Sequence, residues 1–94
     1  MIRATMAMLL MSTAATAQTL CATRYVVVAA LAEKYSETRK TIAIGRNGEM
    51  VETFASNSGS WSVIVTNGDG VSCLVASGES FEVVADAPAR EPNI

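Results

Sequence analysis

The chain has 94 residues, half of them hydrophobic, with nine acidic against seven basic side chains and no histidine. A length of this order holds one domain. The slightly acidic balance lacks the electrostatic footprint of a nucleic-acid binder, and the absence of histidine removes the usual general base and metal ligand.

Residues 1–17 read as a cleaved secretory signal peptide. Met1-Ile2-Arg3 supplies one positive charge, residues 4–14 form an apolar run, and Ala15-Thr16-Ala17 puts small residues where a signal peptidase cuts. Even the whole stretch 4–17 falls short of the about 20 apolar residues of a membrane span, and Thr5, Ser12, Thr13 and Thr16 interrupt it. No stable membrane insertion is expected after cleavage. Leu20 stands before Cys21 where a lipoprotein signal needs a small residue. A cut after Ala17 removes 17 of the 94 residues and Arg3, leaving 77 residues with six basic and nine acidic side chains, net −3. The mature chain is expected in the periplasm or outside the cell.

Thr19 can cap a helix over residues 20–35, a stretch without Gly or Pro. Cys21, Tyr25, Val28, Leu31, Ala32 and Tyr35 recur at spacings of three and four and form an apolar stripe, with Arg24, Glu33 and Lys34 off it. The β-branched Val26-Val27-Val28 makes a buried strand over 25–30 the competing reading, and length favours the helix. From Thr38 the period becomes two. Residues 40–44 alternate, Asn47-Gly48 suits a two-residue type I′ turn, and residues 49–55 return. Asn57-Ser58-Gly59 turns the chain into Trp61–Thr66, the strongest strand, and Gly68-Asp69-Gly70 leads into residues 71–77. Residues 81–84 read as a possible short fifth piece, and 85–94, with Pro88 and Pro92, as a disordered tail.

These elements predict an α+β two-layer sandwich over residues 18–84, with one N-terminal helix on a four-stranded antiparallel β-meander. An Asn47-Gly48 turn places Ile44 opposite Val51. Three-residue loops at 57–59 and 68–70 put Val51, Trp61, Val63, Val65, Val71, Cys73 and Val75 on the face of Ile42 and Ile44, expected to meet the helix. Cys21 on the helix stripe then predicts a Cys21–Cys73 disulfide that closes the two layers. A small secreted domain is marginal on its core alone and commonly carries such a staple.

No cofactor or metal site is expected. The cysteines are too far apart for a Cys-x-x-Cys redox motif. No serine sits in a Gly-x-Ser-x-Gly elbow, and Glu49 and Glu52 fall on opposite faces of a strand, so no enzymatic activity is expected. Counting from Asn67, the twelfth residue is Gly78 where a calcium loop of the EF-hand type needs Glu. Trp61 reads as core before binding platform. One feature points to a partner: the face away from the expected helix carries Met50, Phe54, Ile64 and Leu74, rimmed by Glu52, Ser62, Thr66 and Ser72. A free sheet face is normally polar, and an apolar patch within a polar rim marks a contact surface. The expected function is a small exported non-enzymatic domain acting by protein contact, through self-association or a partner, with a periplasmic inhibitor or ligand-binding module as the alternative.

A first Cys heading a helix that ends in Lys34-Tyr35-Ser36-Glu37, then Trp61-Ser62-Val63-Ile64-Val65-Thr66 and Gly70-Val71-Ser72-Cys73-Leu74, resembles small secreted hypothetical proteins of Gram-negative bacteria. The resemblance implies an exported setting. That group has no assigned activity, so it carries over no functional residue.

Overall fold

The computed structural model describes residues 20–85. The signal peptide, the Thr19 cap and residues 86–94 of the proposed tail lie outside the described residues.

The fold is α+β: one helix and five antiparallel-paired strands in a single sheet. The order along the chain is β1 (Cys21–Thr23), α1 (Arg24–Tyr35), β2 (Thr38–Ile44), β3 (Met50–Ala55), β4 (Trp61–Thr66) and β5 (Val71–Gly78). The sheet order is β1-β5-β4-β3-β2. Strands β2 to β5 form the predicted meander. The additional strand is β1, taken from residues read as helix, whereas residues 81–84 form no strand. Cys21, Ala22 and Thr23 pair with Cys73, Ser72 and Val71. The Leu74 N–H donates to the Leu20 carbonyl at 2.8 Å and the Arg24 N–H to the Gly70 carbonyl at 3.0 Å. These bonds hold the backbone extended up to the first helical residue, so α1 begins four residues later than predicted.

Residues 24–35 are helical for the expected reason: strong formers at Ala29 to Lys34 with no Gly or Pro. Ser36 stops the helix in the left-handed region at φ 55°. Its N–H bonds to the Ala32 carbonyl, and the Glu37 N–H bonds to that of Leu31, which satisfies two last-turn acceptors and turns Glu37 inward. The buried stripe lies one step round from the predicted one. Val27, Val28 and Leu31 pack on the sheet, while Tyr25 is 82% exposed.

Three hairpin loops share one construction. Gly48, Gly59 and Gly70 each take positive φ at the third loop position. Their N–H groups bond back to the carbonyls of Gly45, Ser56 and Asn67. This is a type I turn followed by a left-handed residue, the usual three-residue hairpin. Residues 57–59 and 68–70 match expectation, with Ala55 opposite Trp61 and Cys73 opposite Val65. The Asn47-Gly48 turn does not. Type I′ needs positive φ at both residues, and Gly48 alone has it. Its loop is therefore one residue longer, and Ile44 pairs with Met50 rather than Val51. The slip moves Ile42 and Ile44 to the other face of the sheet.

Cross-strand partners share a face, so the registers divide the sheet. One face carries Ile42, Ile44, Met50, Glu52, Phe54, Ser62, Ile64, Thr66, Ser72 and Leu74. Helix α1 covers this face: Leu31, Phe54 and Ile64 form the core, with Val27, Val28 and Leu74 packed against it. The predicted layering is thus inverted. Ile42 and Ile44, on the far edge strand, lie beyond the reach of α1 and stay exposed. The opposite face, with Val51, Trp61, Val63, Val65 and Cys73, receives no helix.

Candidate functional site

The residues proposed from sequence as a contact face are Met50, Phe54, Ile64 and Leu74. The structure does bring Phe54, Ile64 and Leu74 together, but beneath α1, where Phe54 and Ile64 are core. Met50 is half-buried on the same face. The cause is the choice of face. Strands β1 and β2 run parallel at opposite edges of the sheet, and α1 is the crossover between them. Such crossovers are strongly biased to one hand, so connectivity selects the covered face. Phe54, Ile64 and Leu74 also reach further into the layer than the short valines opposite.

The expected polar rim is buried in that layer as well. Glu52 is fully buried. It accepts from Arg24 Nε at 2.9 Å and Arg24 Nη2 at 2.6 Å, and from Arg39 Nη1 at 3.2 Å. Arg24 thus lies on the inward side of the helix rather than off its stripe. Arg39 reaches the cluster through a β-bulge at Lys40, which makes Arg39 the partner of Phe54 and turns its side chain to the helix side. The hydrogen bonds of Arg24 hold the Glu52 carboxyl below the usual carboxylate range against the opposing effect of burial, with Arg39 adding to them. The same pairing raises the Arg24 guanidinium. Thr66 and Ser72 close the layer through a 2.5 Å bond between their hydroxyls. With all its carboxylate contacts engaged by two arginines, Glu52 is a structural anchor.

The face without a helix has a distinctive composition. Its paired positions are Cys21, Thr23, Thr38, Thr41, Ala43, Val51, Thr53, Ala55, Trp61, Val63, Val65, Val71, Cys73, Ala76 and Gly78. Not one of them is charged. Of the strand charges, Arg39 and Glu52 point to the helix side and Lys40 sits in the bulge. The Cys21–Cys73 disulfide is present, and it joins directly opposed residues of β1 and β5 on this face. It ties two neighbouring strands rather than helix to sheet, because Cys21 belongs to β1. Trp61 lies across the sheet from Gly78, where an added Cβ would come within 2.8 Å of the indole. The indole Nε1–H donates to the Glu79 carbonyl at 3.1 Å. Trp61 is half-buried at the edge of the uncharged face and is neither core nor a free platform.

A cleft of about 210 Å³ opens at the C-terminal end of α1, lined by Leu31, Tyr35, Glu37, Trp61, Ser62, Leu74, Ser77, Gly78 and Glu79. Glu37 is only 3% exposed, and its Oε1 has no hydrogen-bond partner. Sequence reasoning missed Glu37, since nothing in the local pattern separates it from a solvated loop carboxylate. Its burial follows from the left-handed turn at Ser36.

Among the described residues, no group of three or more His, Cys, Asp or Glu could hold a metal ion, and no helix is long and apolar enough to cross a membrane. Comparison with protein-family models, curated proteins and solved structures finds no match to this chain.

Proposed function

We propose that this chain is an exported, non-enzymatic domain that acts by protein contact, and that the contact is its uncharged sheet face docked on the same face of a second copy. The observation that carries this reading is the absence of any charged side chain among the paired positions of that face. An antiparallel sheet that faces water on one side alternates apolar and polar residues. Here both faces are apolar at their centres, and the helix covers one.

A second copy suits the face better than a charged partner would. The chain is net acidic, yet two copies stacked through this face oppose no like charges. Face-to-face packing of twisted sheets brings side chains together in a layer about 10 Å thick, and a two-fold arrangement makes the surface self-complementary. With strands about 4.8 Å apart and a rise of about 3.3 Å per residue, two such faces bury on the order of 1,000 Å². That is the lower end for a specific interface, so the dimer is of modest affinity. Export is supported by the disulfide, which forms and persists in oxidising compartments.

Sedimentation velocity on the oxidised mature chain over a concentration series tests the reading. The sedimentation coefficient rises with concentration to that of a dimer, and Val63→Lys, which puts a charge at the centre of the face, keeps the chain monomeric with unchanged circular dichroism. A wild-type chain that stays monomeric into the range of several hundred micromolar rejects the contact.

A further inference from the structure

We propose that the cleft at the C-terminal end of α1 is a binding site for a primary alkylammonium group, held by Glu37, Ser62 and Ser77. The proposed ligands Ser62 and Ser77 lie on the helix side of the sheet, while Trp61 and Gly78, at the edge of the uncharged face, also line the cleft.

The first argument is the unpartnered carboxylate. Glu37 is more than nine-tenths buried, lines the cleft, and leaves Oε1 without a hydrogen-bond donor. Buried polar groups almost always find a partner, and each exception calls for an explanation. A carboxylate is an acceptor-only group when ionised, so what completes it must donate. The second argument is the charge of the walls. Glu37 and Glu79 are both acidic, and no basic residue lines the cleft. An anion is therefore excluded, and a cationic donor is favoured.

The third argument is the arrangement of acceptors. Ser62 and Ser77 are direct cross-strand partners on β4 and β5, and both line the cleft. Together with the Glu37 carboxylate they supply three acceptors, and an ammonium presents three N–H donors. Leu31 and Leu74 give the stem an apolar wall. The volume, about 210 Å³, lies below the range of roughly 300–1,000 Å³ for drug-sized ligands. It suits a short aliphatic amine or the end of a lysine side chain. A quaternary ammonium carries the charge but no N–H, and does not complete Glu37.

The probes are n-butylamine, Nα-acetyl-lysine N-methylamide and tetramethylammonium, titrated into the oxidised mature chain. Amide NMR shifts of Glu37, Ser62 and Ser77 and the emission of Trp61 are the readouts. Saturable n-butylamine binding with Kd of about 1 mM or tighter is expected, weakened about tenfold or more by Glu37→Gln and several-fold by Ser77→Ala. Ser77 is exposed, so that second variant keeps the fold. Comparable binding of the capped lysine assigns the group to a protein side chain, and binding of n-butylamine alone assigns it to a free amine. The proposal is overturned by no saturable shift up to about 10 mM, by equal affinity in Glu37→Gln, or by tetramethylammonium competing as well as n-butylamine.

Discussion

Arg24, the first residue of α1, grips Glu52 of β3 with two hydrogen bonds, Nε to Oε1 at 2.9 Å and Nη2 to Oε2 at 2.6 Å. A bidentate guanidinium–carboxylate pair fixes orientation as well as distance, so this contact ties the start of the helix, beside edge strand β1, to β3 across the sheet. Arg24 and Arg39 remain partly exposed while Glu52 is sealed, which leaves Glu52 the member that depends on its partners.

Stability should therefore depend on acid in a way traceable to Glu52. Its folded carboxyl titrates below the ordinary value, which for an unfolded Glu is about 4.3. The contribution is fully present above that value and is lost as pH falls through the lower folded value. Urea unfolding of wild type and Glu52→Gln at pH 7 and pH 3 measures it. The variant is expected to lose about 2 kcal/mol at pH 7, with the gap narrowing at pH 3. Parallel curves at both pH values mean that the arginines do not stabilise the ionised form.

The assignment of the two faces gives a contrast between two single substitutions. Phe54→Ala removes a core ring and should cost about 3 kcal/mol or more, whereas Val63→Ala on the uncovered face should cost about 1 kcal/mol. Equilibrium unfolding of both decides it, and the reverse order would mean that the helix lies on the valine face.

The disulfide closes a sequence separation of 52 residues. On the chain-entropy model its removal by Cys21→Ser with Cys73→Ser costs about 4 kcal/mol. Because the bond joins β1 to β5, the loss should be uneven. Hydrogen exchange should accelerate most at Arg24 and Leu74, whose N–H groups bond to Gly70 and Leu20. The β2–β3 hairpin should keep its relative protection. A uniform loss across the sheet argues against a bond that acts locally on β1.

Gly78→Ala probes Trp61. The added methyl meets the indole, so the ring must shift and the Nε1–H bond to the Glu79 carbonyl must lengthen. The expected result is a red-shifted tryptophan emission with little change in far-UV circular dichroism. Unaltered emission indicates that the indole does not rest on Gly78.

The local code of this chain was largely readable. Asn57-Ser58-Gly59 and Gly68-Asp69-Gly70 specified their loops because a glycine in the left-handed position is a short-range requirement, and those loops carried the β3–β4 pairing and the start of β4–β5. Asn47-Gly48 misled because the same dipeptide serves both a two-residue and a three-residue loop, and one residue is enough to invert a strand. The bulges at Lys40 and Val75 left no local mark, so the inward turn of Arg39 was not readable either.

What the sequence alone determined was the α+β class, the strands of the meander and the pairing of Cys21 with Cys73. All rest on residue type, short-range periodicity or, for the cysteines, the lack of any other partner. What only the tertiary structure decided was which face of the sheet α1 covers, and with it the fate of every residue proposed for contact. Both faces are apolar enough to be a core, so hydropathy could not choose between them. The choice falls to β1, three residues long, which makes α1 a crossover between parallel edge strands. A strand that short exists only because a distant strand pairs with it, and no local pattern records that partner.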